Sequence, residues 1–464
     1  MKQLHQTMRD SAVLRWTALI LIASTMFFAY MFVDVLSPIQ TLVQEQMGWS
    51  ASVYGTFAGS EYFLNVFVFF LIFAGIILDK LGIRFTAILS GVVMLVGASI
   101  KLYAISPYFA EGNVLYDFLN SFWTSFPATA KLACAGFAIF GCGVEMAGIT
   151  VSKAIVKWFN GKELALAMGL EMAIARLGVF AVFRLSPIMA SWGSPDVVRP
   201  VAICCGLLCI GLLTFIVYSL MDKKLDKQLG ADAEMEPEDQ FKISDLGILF
   251  TSKVFLIVAF LCVLYYSAIF PFQKFATSML ESRLGMATDD ASALFSWFPI
   301  GAMVLTPLLG WFLDRKGKGA TMLILGAILM FVCHTVFALY PLQPGDSNST
   351  IIAYGAIILL GISFSLVPAA LWPSVPKLVE ERYLGSAYSV IFWIQNIGLW
   401  AFPVIIGKVL TWANPDASAG QYDYTAPMLV FASLGILAFL LGIWLKAEDK
   451  IHNYGLEAPN IKKK

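Results

Sequence analysis

The sequence is poor in charge. Asp, Glu, Lys and Arg make up only 13% of its 464 residues, against roughly 25% in soluble chains. Neither sign dominates, because 31 basic residues face 31 acidic ones and the formal net charge is zero. That balance argues against a basic nucleic-acid binder and against an acidic disordered tail. Histidine is scarcer still: His5, His334 and His452 lie far apart, which argues against a His-based metal site. The seven cysteines all fall inside apolar runs and read as small buried hydrophobes rather than a disulfide framework. No GxxxxGK[ST], HExxH or GxSxG motif is present. Neither ATP drive within the chain nor the corresponding hydrolase chemistry is therefore expected, and no cofactor is called for.

What the chain has in excess is apolar side chain, 59% of residues against about 45–50% in soluble proteins, and its mean hydropathy is +0.77. A soluble fold this apolar has too little polar surface to cover itself, so the bilayer must be the solvent for much of it. About 20 apolar residues are needed to cross the hydrocarbon core as a helix. Twelve segments qualify: 16–40, 52–78, 85–106, 131–155, 163–190, 198–221, 253–278, 289–313, 319–341, 350–376, 384–411 and 426–445. They are called spans 1 to 12 below. The alternating ten-residue pattern of a β-barrel is missing. The polar start MKQLHQTMRDSAVLR and the length of the run behind it argue against a cleaved signal peptide. The fold class expected is an all-α membrane protein.

Lysine and arginine set the expected orientation. With both termini and the even-to-odd connections on one side, that side holds 23 of the 31 basic residues, from Lys2, Arg9 and Arg15 to Lys446, Lys450 and Lys462 to Lys464. The positive-inside rule then puts both termini in the cytoplasm. The longest connection, 222–252, is polar and separates six spans from six. The expected organisation is a first half at 1–221, a cytoplasmic linker at 222–252 with a short amphipathic helix near 242–250, and a second half at 253–464. The opposite loop 107–130 is aromatic and charge-poor, with a surface helix expected around Leu115 to Phe122.

Each half repeats a signature after its second span. GIILDKLGIR (75–84) is echoed by GWFLDRKGKG (310–319): Gly75 matches Gly310, Asp79 matches Asp314, Lys80 matches Arg315 and Gly82 matches Gly317, all offset by 235. A second echo relates GKELALAMGLEMAIARLG (161–178) to ERYLGSAYSVIFWIQNIG (381–398), with Arg176 opposite Asn396. Duplicated six-span halves are how many secondary transporters are built, with solute bound between the repeats near the midplane. In the signature, glycine is expected to let helices approach closely, and Asp to accept hydrogen bonds from a neighbouring helix. Asp79, Lys80, Arg84, Asp314 and Arg315 thus read as a cytoplasmic gate that latches when the transporter opens outward.

Two such signatures in two six-span halves resemble the major facilitator superfamily over nearly the whole chain, about 15 to 446. A narrower resemblance follows from WFNGKELALAMGLEMAIARLG (158–178), LYYSAIFPF (264–272), ALWPSVPKLV (370–379) and LGSAYSVIFWIQNIGL (384–399). These are similar to the family of the lysosomal dipeptide transporter. The resemblance implies alternating access by rocking of the halves, and a binding pocket that uses the Glu and Arg of the segments matching GVEMAG and ARLG.

Ionisable side chains within spans are costly and by default mark a pathway. Counting from 131, Glu145 comes 14 residues into span 4; counting from 163, Arg176 comes 13 residues into span 5. Entering from opposite faces, the two reach matching mid-bilayer depth. They form either a permanent ion pair or the two poles of a site for a zwitterion, Glu145 taking an ammonium and Arg176 a carboxylate. Asp34 and Glu61, nearer the far ends of spans 1 and 2, read as proton carriers or gate residues. Lys101, Lys131, Lys274 and Lys408 lie near span ends and are expected to snorkel. In the second half Tyr265, Tyr266 and Trp372 are expected to wall the site, and Asn396 needs a polar partner at hydrocarbon depth, which a peptide backbone supplies.

The function expected is therefore secondary transport of a small organic solute, most simply a dipeptide, with another organic anion or amino-acid-like solute as the alternative. Uniport and proton symport both stand. A non-transporting receptor fits less well, and enzymatic activity is not expected. The partners are the solute and the lipid bilayer, with an accessory membrane subunit left open. No dileucine sorting signal is visible, so a bacterial inner membrane is the expected location.

Overall fold

The computed structural model describes residues 7–159, 161–229, 243–380 and 383–459. Part of the 222–252 linker and several cations of the orientation count, namely Lys2, Lys242, Arg382 and Lys462 to Lys464, lie outside these residues. The described chain is a bundle of helices. Eleven are long and apolar enough to cross a membrane: Ala12–Met47, Phe70–Ile105, Ala128–Phe159, Leu166–Ser191, Val198–Leu229, Lys253–Leu284, Thr288–Lys316, Gly319–Leu339, Ser347–Leu378, Leu384–Ala413 and Thr425–His452. The twelfth crossing is broken. Span 2 consists of Ala51–Ser60, Phe63–Phe67 and residues 70–81, the opening part of the helix Phe70–Ile105. The chain steps out of helix at Phe69, with φ 55°, and again at Gly82, with φ 78° and ψ 170°. Span 3 follows without a loop. A short helix, Val114–Asn120, caps the far side, and another, Ile243–Thr251, precedes span 7.

Local chemistry fixes the ends. Ser50 accepts from the Val53 amide, Asn113 from Leu115 and Tyr116, Ser252 from Phe255, and Asp346 from Asn348 and Ser349. Each satisfies an amide that the first helical turn leaves without a partner. Gly48 and Gly285 close the helices before them in the left-handed region.

Packing repeats between the halves. Span 1 packs on spans 5 and 6 as span 7 packs on spans 11 and 12, and spans 2 and 4 pair as spans 8 and 10 do. The halves meet where span 2 lies on span 11 and span 5 on span 8. The first of these contacts is very close, because Gly55 lies against Pro403 and Gly407 with no room for a Cβ. Small residues allow such backbone approach in a membrane.

The signature glycines do something else. Gly75, Gly82 and Gly310 have open space where a Cβ would stand, so the close-approach expectation fails there. Gly82 and its partner Gly317 share a positive φ, 78° and 71°, which only glycine adopts without strain. What the repeat preserves is a turn, not a contact. Its acid does accept from a neighbouring helix, since Lys153 Nζ donates to Asp79 at 2.7 Å. Arg84 pairs with Asp226 at 3.4 Å, and Arg315 lies 4.4 Å over the Trp311 ring.

The second copy carries an addition. Residues 453–459 fold back onto the face that bears the termini. The Lys318 amide donates to the Glu457 carbonyl at 2.9 Å and the Gly319 amide to Leu456 at 3.0 Å. Asp449 accepts from the Leu456 amide, Lys377 donates to the carbonyls of Gly455 and Ala458, and the Glu457 carboxylate takes the Thr321 amide and hydroxyl. Leu456, within this strap, is buried.

Candidate solute site between the halves

A cavity of about 290 Å³ lies between the halves, at the lower end of the range for small-molecule sites. Spans 1, 2, 4 and 5 contribute Asp34, Glu61, Glu145 and Arg176; spans 7, 10 and 11 contribute Tyr266, Trp372 and Asn396. Seven of the residues singled out from the sequence thus share one space. Arg176 and Asn396, matched by the internal repeat, face it from opposite halves.

Glu145 and Arg176 are not joined by an ion pair, so the permanent-pair alternative is not what the structure contains. The Arg176 guanidinium instead lies 5.4 Å from the Phe270 ring centroid and 5.2 Å from Phe364, both in the second half. Aromatic faces attract the cation without consuming its hydrogen-bond donors, so the fork remains available to a carboxylate. Tyr266, Phe270, Phe364 and Trp372 form a connected aromatic wall, in which the Trp372 indole N–H lies 3.4 Å from the Tyr266 hydroxyl. Gln395 lines the cavity beside Asn396 and accepts from Cys262.

Tyr265 is a correction. It is wholly buried in the second half, where its hydroxyl donates to the Leu323 carbonyl. Consecutive helical residues point about 100° apart, so only one of the two tyrosines can face the cavity, and it is Tyr266. A second correction concerns the lysines. Lys101 and Lys274 do not snorkel: they are 0% and 6% exposed, deep among helices. Lys408 is exposed, and Lys131 reaches back to the Leu119 carbonyl at 2.6 Å and to that of Phe122, pinning the surface helix.

Lys274 is the residue that sequence reasoning misses. It stands on span 7, in the second half, and its ammonium lies 3.0 Å from Asp34 Oδ1 and 3.7 Å from Glu61 Oε2, both in the first half. It also donates to the Val33 carbonyl at 3.2 Å, and the neighbouring Gln273 amide donates to Asp34 Oδ2 at 2.7 Å. Asp34, Glu61, Gln273 and Lys274 line the same cavity as Glu145 and Arg176. Tyr54 of span 2 donates to the Lys274 carbonyl. Lys101 sits nearby without a hydrogen-bond partner among the described residues, its ammonium 4.2 Å, 4.5 Å and 5.1 Å from the rings of Phe137, Phe32 and Phe57.

Other contacts close the far side. Thr41 donates to Glu281 and Ser292 to the Phe183 carbonyl, while the Ser52 amide donates to Thr411. On the side that carries the termini, Asp79, Lys80 and Arg315 are exposed.

Comparison with known proteins agrees with this architecture. The Major Facilitator Superfamily profile matches in two stretches, residues 22–403 and 273–458. The chain is 28% identical to the zebrafish (Danio rerio) lysosomal dipeptide transporter MFSD1 over 393 residues, 83% of this chain and 78% of that one. It is 27% identical to human (Homo sapiens) MFSD1 over 436 residues, 92% and 85% of the two chains. Among solved structures, the nucleoside transporter NupG superposes with a TM-score of 0.69 at 14% identity, covering 92% of this chain and 99% of that one. The chain belongs to the Major Facilitator Superfamily, as a multi-pass membrane transporter with twelve membrane-crossing segments.

Proposed function

We propose that this transporter carries dipeptides or closely similar zwitterions by rocking of its two six-span halves. The observation that carries the reading is the placement of Glu145 and Arg176 in one cavity, opposite in sign and not paired with each other. A carboxylate and a guanidinium held apart at this depth are costly unless a ligand answers both. A zwitterion does so, with its ammonium on Glu145 and its carboxylate on Arg176, bound bidentately. Tyr266, Trp372 and Asn396 offer the opposite wall to the backbone and side chains. The 27–28% identity to proteins named as lysosomal dipeptide transporters supports the same solute class.

In this reading Asp79, Lys80, Arg84, Asp314 and Arg315 act as the gate on the terminal face, that face is cytoplasmic, and the membrane is a bacterial inner membrane. The linker 222–252 tethers the halves.

Uptake into proteoliposomes tests the solute. Arg176→Ala should lose discrimination against a C-terminally amidated dipeptide, and Glu145→Gln against an N-acetylated one. Each lost charge-assisted contact is worth about 1.5–3 kcal/mol, roughly tenfold to over a hundredfold in affinity. A double variant that transports dipeptides normally would refute the assignment.

A further inference from the structure

We propose that Asp34 and Glu61 form a second, outer ammonium site, and that Lys274 is a tethered ammonium which replaces the solute's own there when the far side closes. This rests on the zwitterion reading and deepens it by giving the solute an entry station and the gate a trigger.

The geometry has three parts. First, the bridge spans the moving interface: the acids ride on spans 1 and 2, the lysine on span 7. When the halves part on the far side, Lys274 leaves with its own half. Second, Glu61 is not satisfied by the lysine. Glu61 lines the cavity, and its Oε2 is buried and accepts no hydrogen bond among the described residues, the Lys274 ammonium standing off at 3.7 Å. A buried acceptor that receives no hydrogen bond is costly and offers a place for a further N–H donor. Third, the charge count leaves room for one cation. With the far side closed, two carboxylates share Lys274, and the Lys101 ammonium lies beside them, over the same Phe137 ring as that of Lys274. With Lys274 withdrawn, two carboxylates face Lys101 alone. One ammonium entering from the far side restores neutrality. Closure then returns Lys274 to Asp34 and displaces the guest along the cavity that Asp34, Glu61 and Glu145 share, toward Glu145. A guest ammonium on the acids keeps Lys274 away and the far side open, and a solute whose ammonium has moved on lets the lysine return and the far side shut.

The test uses n-propylammonium, a bare ammonium with no carboxylate. Spin labels at Glu111→Cys and Asp416→Cys, exposed on the far side of opposite halves, report far-side separation in nanodiscs, with the exposed Cys209 changed to Ser. In the otherwise unaltered protein, n-propylammonium should compete with Lys274 and enlarge the long-distance population, where propionamide and potassium chloride do not. In Lys274→Ala the long-distance population should dominate without amine, and n-propylammonium should restore the short one. The sign of the amine effect therefore inverts. In Asp34→Asn with Glu61→Gln neither effect should remain. An amine no different from potassium chloride in the unaltered protein overturns the proposal, and that arm needs no gate variant to fold. Dipeptide uptake without an amine effect removes the outer site alone. An amine effect without dipeptide uptake removes the solute assignment alone.

Discussion

At the scale of single residues, the depth of a charge is legible in the sequence and its direction is not. Counting inward from span ends finds Glu145 and Arg176, and both face the cavity. The same count misplaces Lys274. With span 7 ending at 278 it looks terminal, but the helix runs on to Leu284, which carries the lysine inward. Lys101 is misread because hydropathy does not register the Phe32, Phe57 and Phe137 rings that enclose it. The paired tyrosines give a direct check. Tyr265→Phe should lower thermal stability by about 1 kcal/mol through its lost hydrogen bond and leave the apparent KM unchanged. Tyr266→Ala should raise KM, because it removes part of the cavity wall. Thermal unfolding and uptake kinetics on the two variants separate the roles.

At the scale of elements, span number follows from hydropathy, but continuity does not. Residues 52–78 read as one apolar run, whereas the chain breaks at Phe69; apolar length reports passage through a bilayer, not an unbroken hydrogen-bond ladder. The repeated signature is readable as a repeat, yet close helix approach is the wrong physics for Gly75, Gly82 and Gly310. Gly82 and Gly317 share a positive φ, so Gly82→Ala should cost about 1–3 kcal/mol from the backbone alone. Gly317→Ala should cost more, because its Cβ would also strike Glu457 and Ala458. Thermal unfolding of both ranks them. Asp79→Asn, which weakens the link to Lys153, should slow turnover more than it weakens solute binding, read as kcat against KM. On the same face Asp10 is held down to about 2 by the Thr7 amide and hydroxyl and by Lys162. A depressed carboxylate stabilises the folded form above its unfolded value, near 4, and loses that contribution as pH falls toward 2. A carboxyl carbon titration of Asp10 should place its midpoint near 2.

At the scale of the whole molecule, hydrogen bonds join the two halves on the side away from the termini. Cysteines at Ser52→Cys and Thr411→Cys, where an amide-to-hydroxyl hydrogen bond of 3.0 Å now joins the halves, should cross-link under oxidation. Uptake should fall to background and return on reduction. Uptake that continues through the cross-link would mean the halves need not part there. The strap at 453–459 bears on how the molecule comes into being. Among the described residues, the Lys318 and Gly319 amides, at the turn between spans 8 and 9, find their acceptors in Glu457 and Leu456. A ribosome makes that turn long before it makes its partners. The terminal face of the second half therefore cannot be completed until residues 453–459 have left the ribosome.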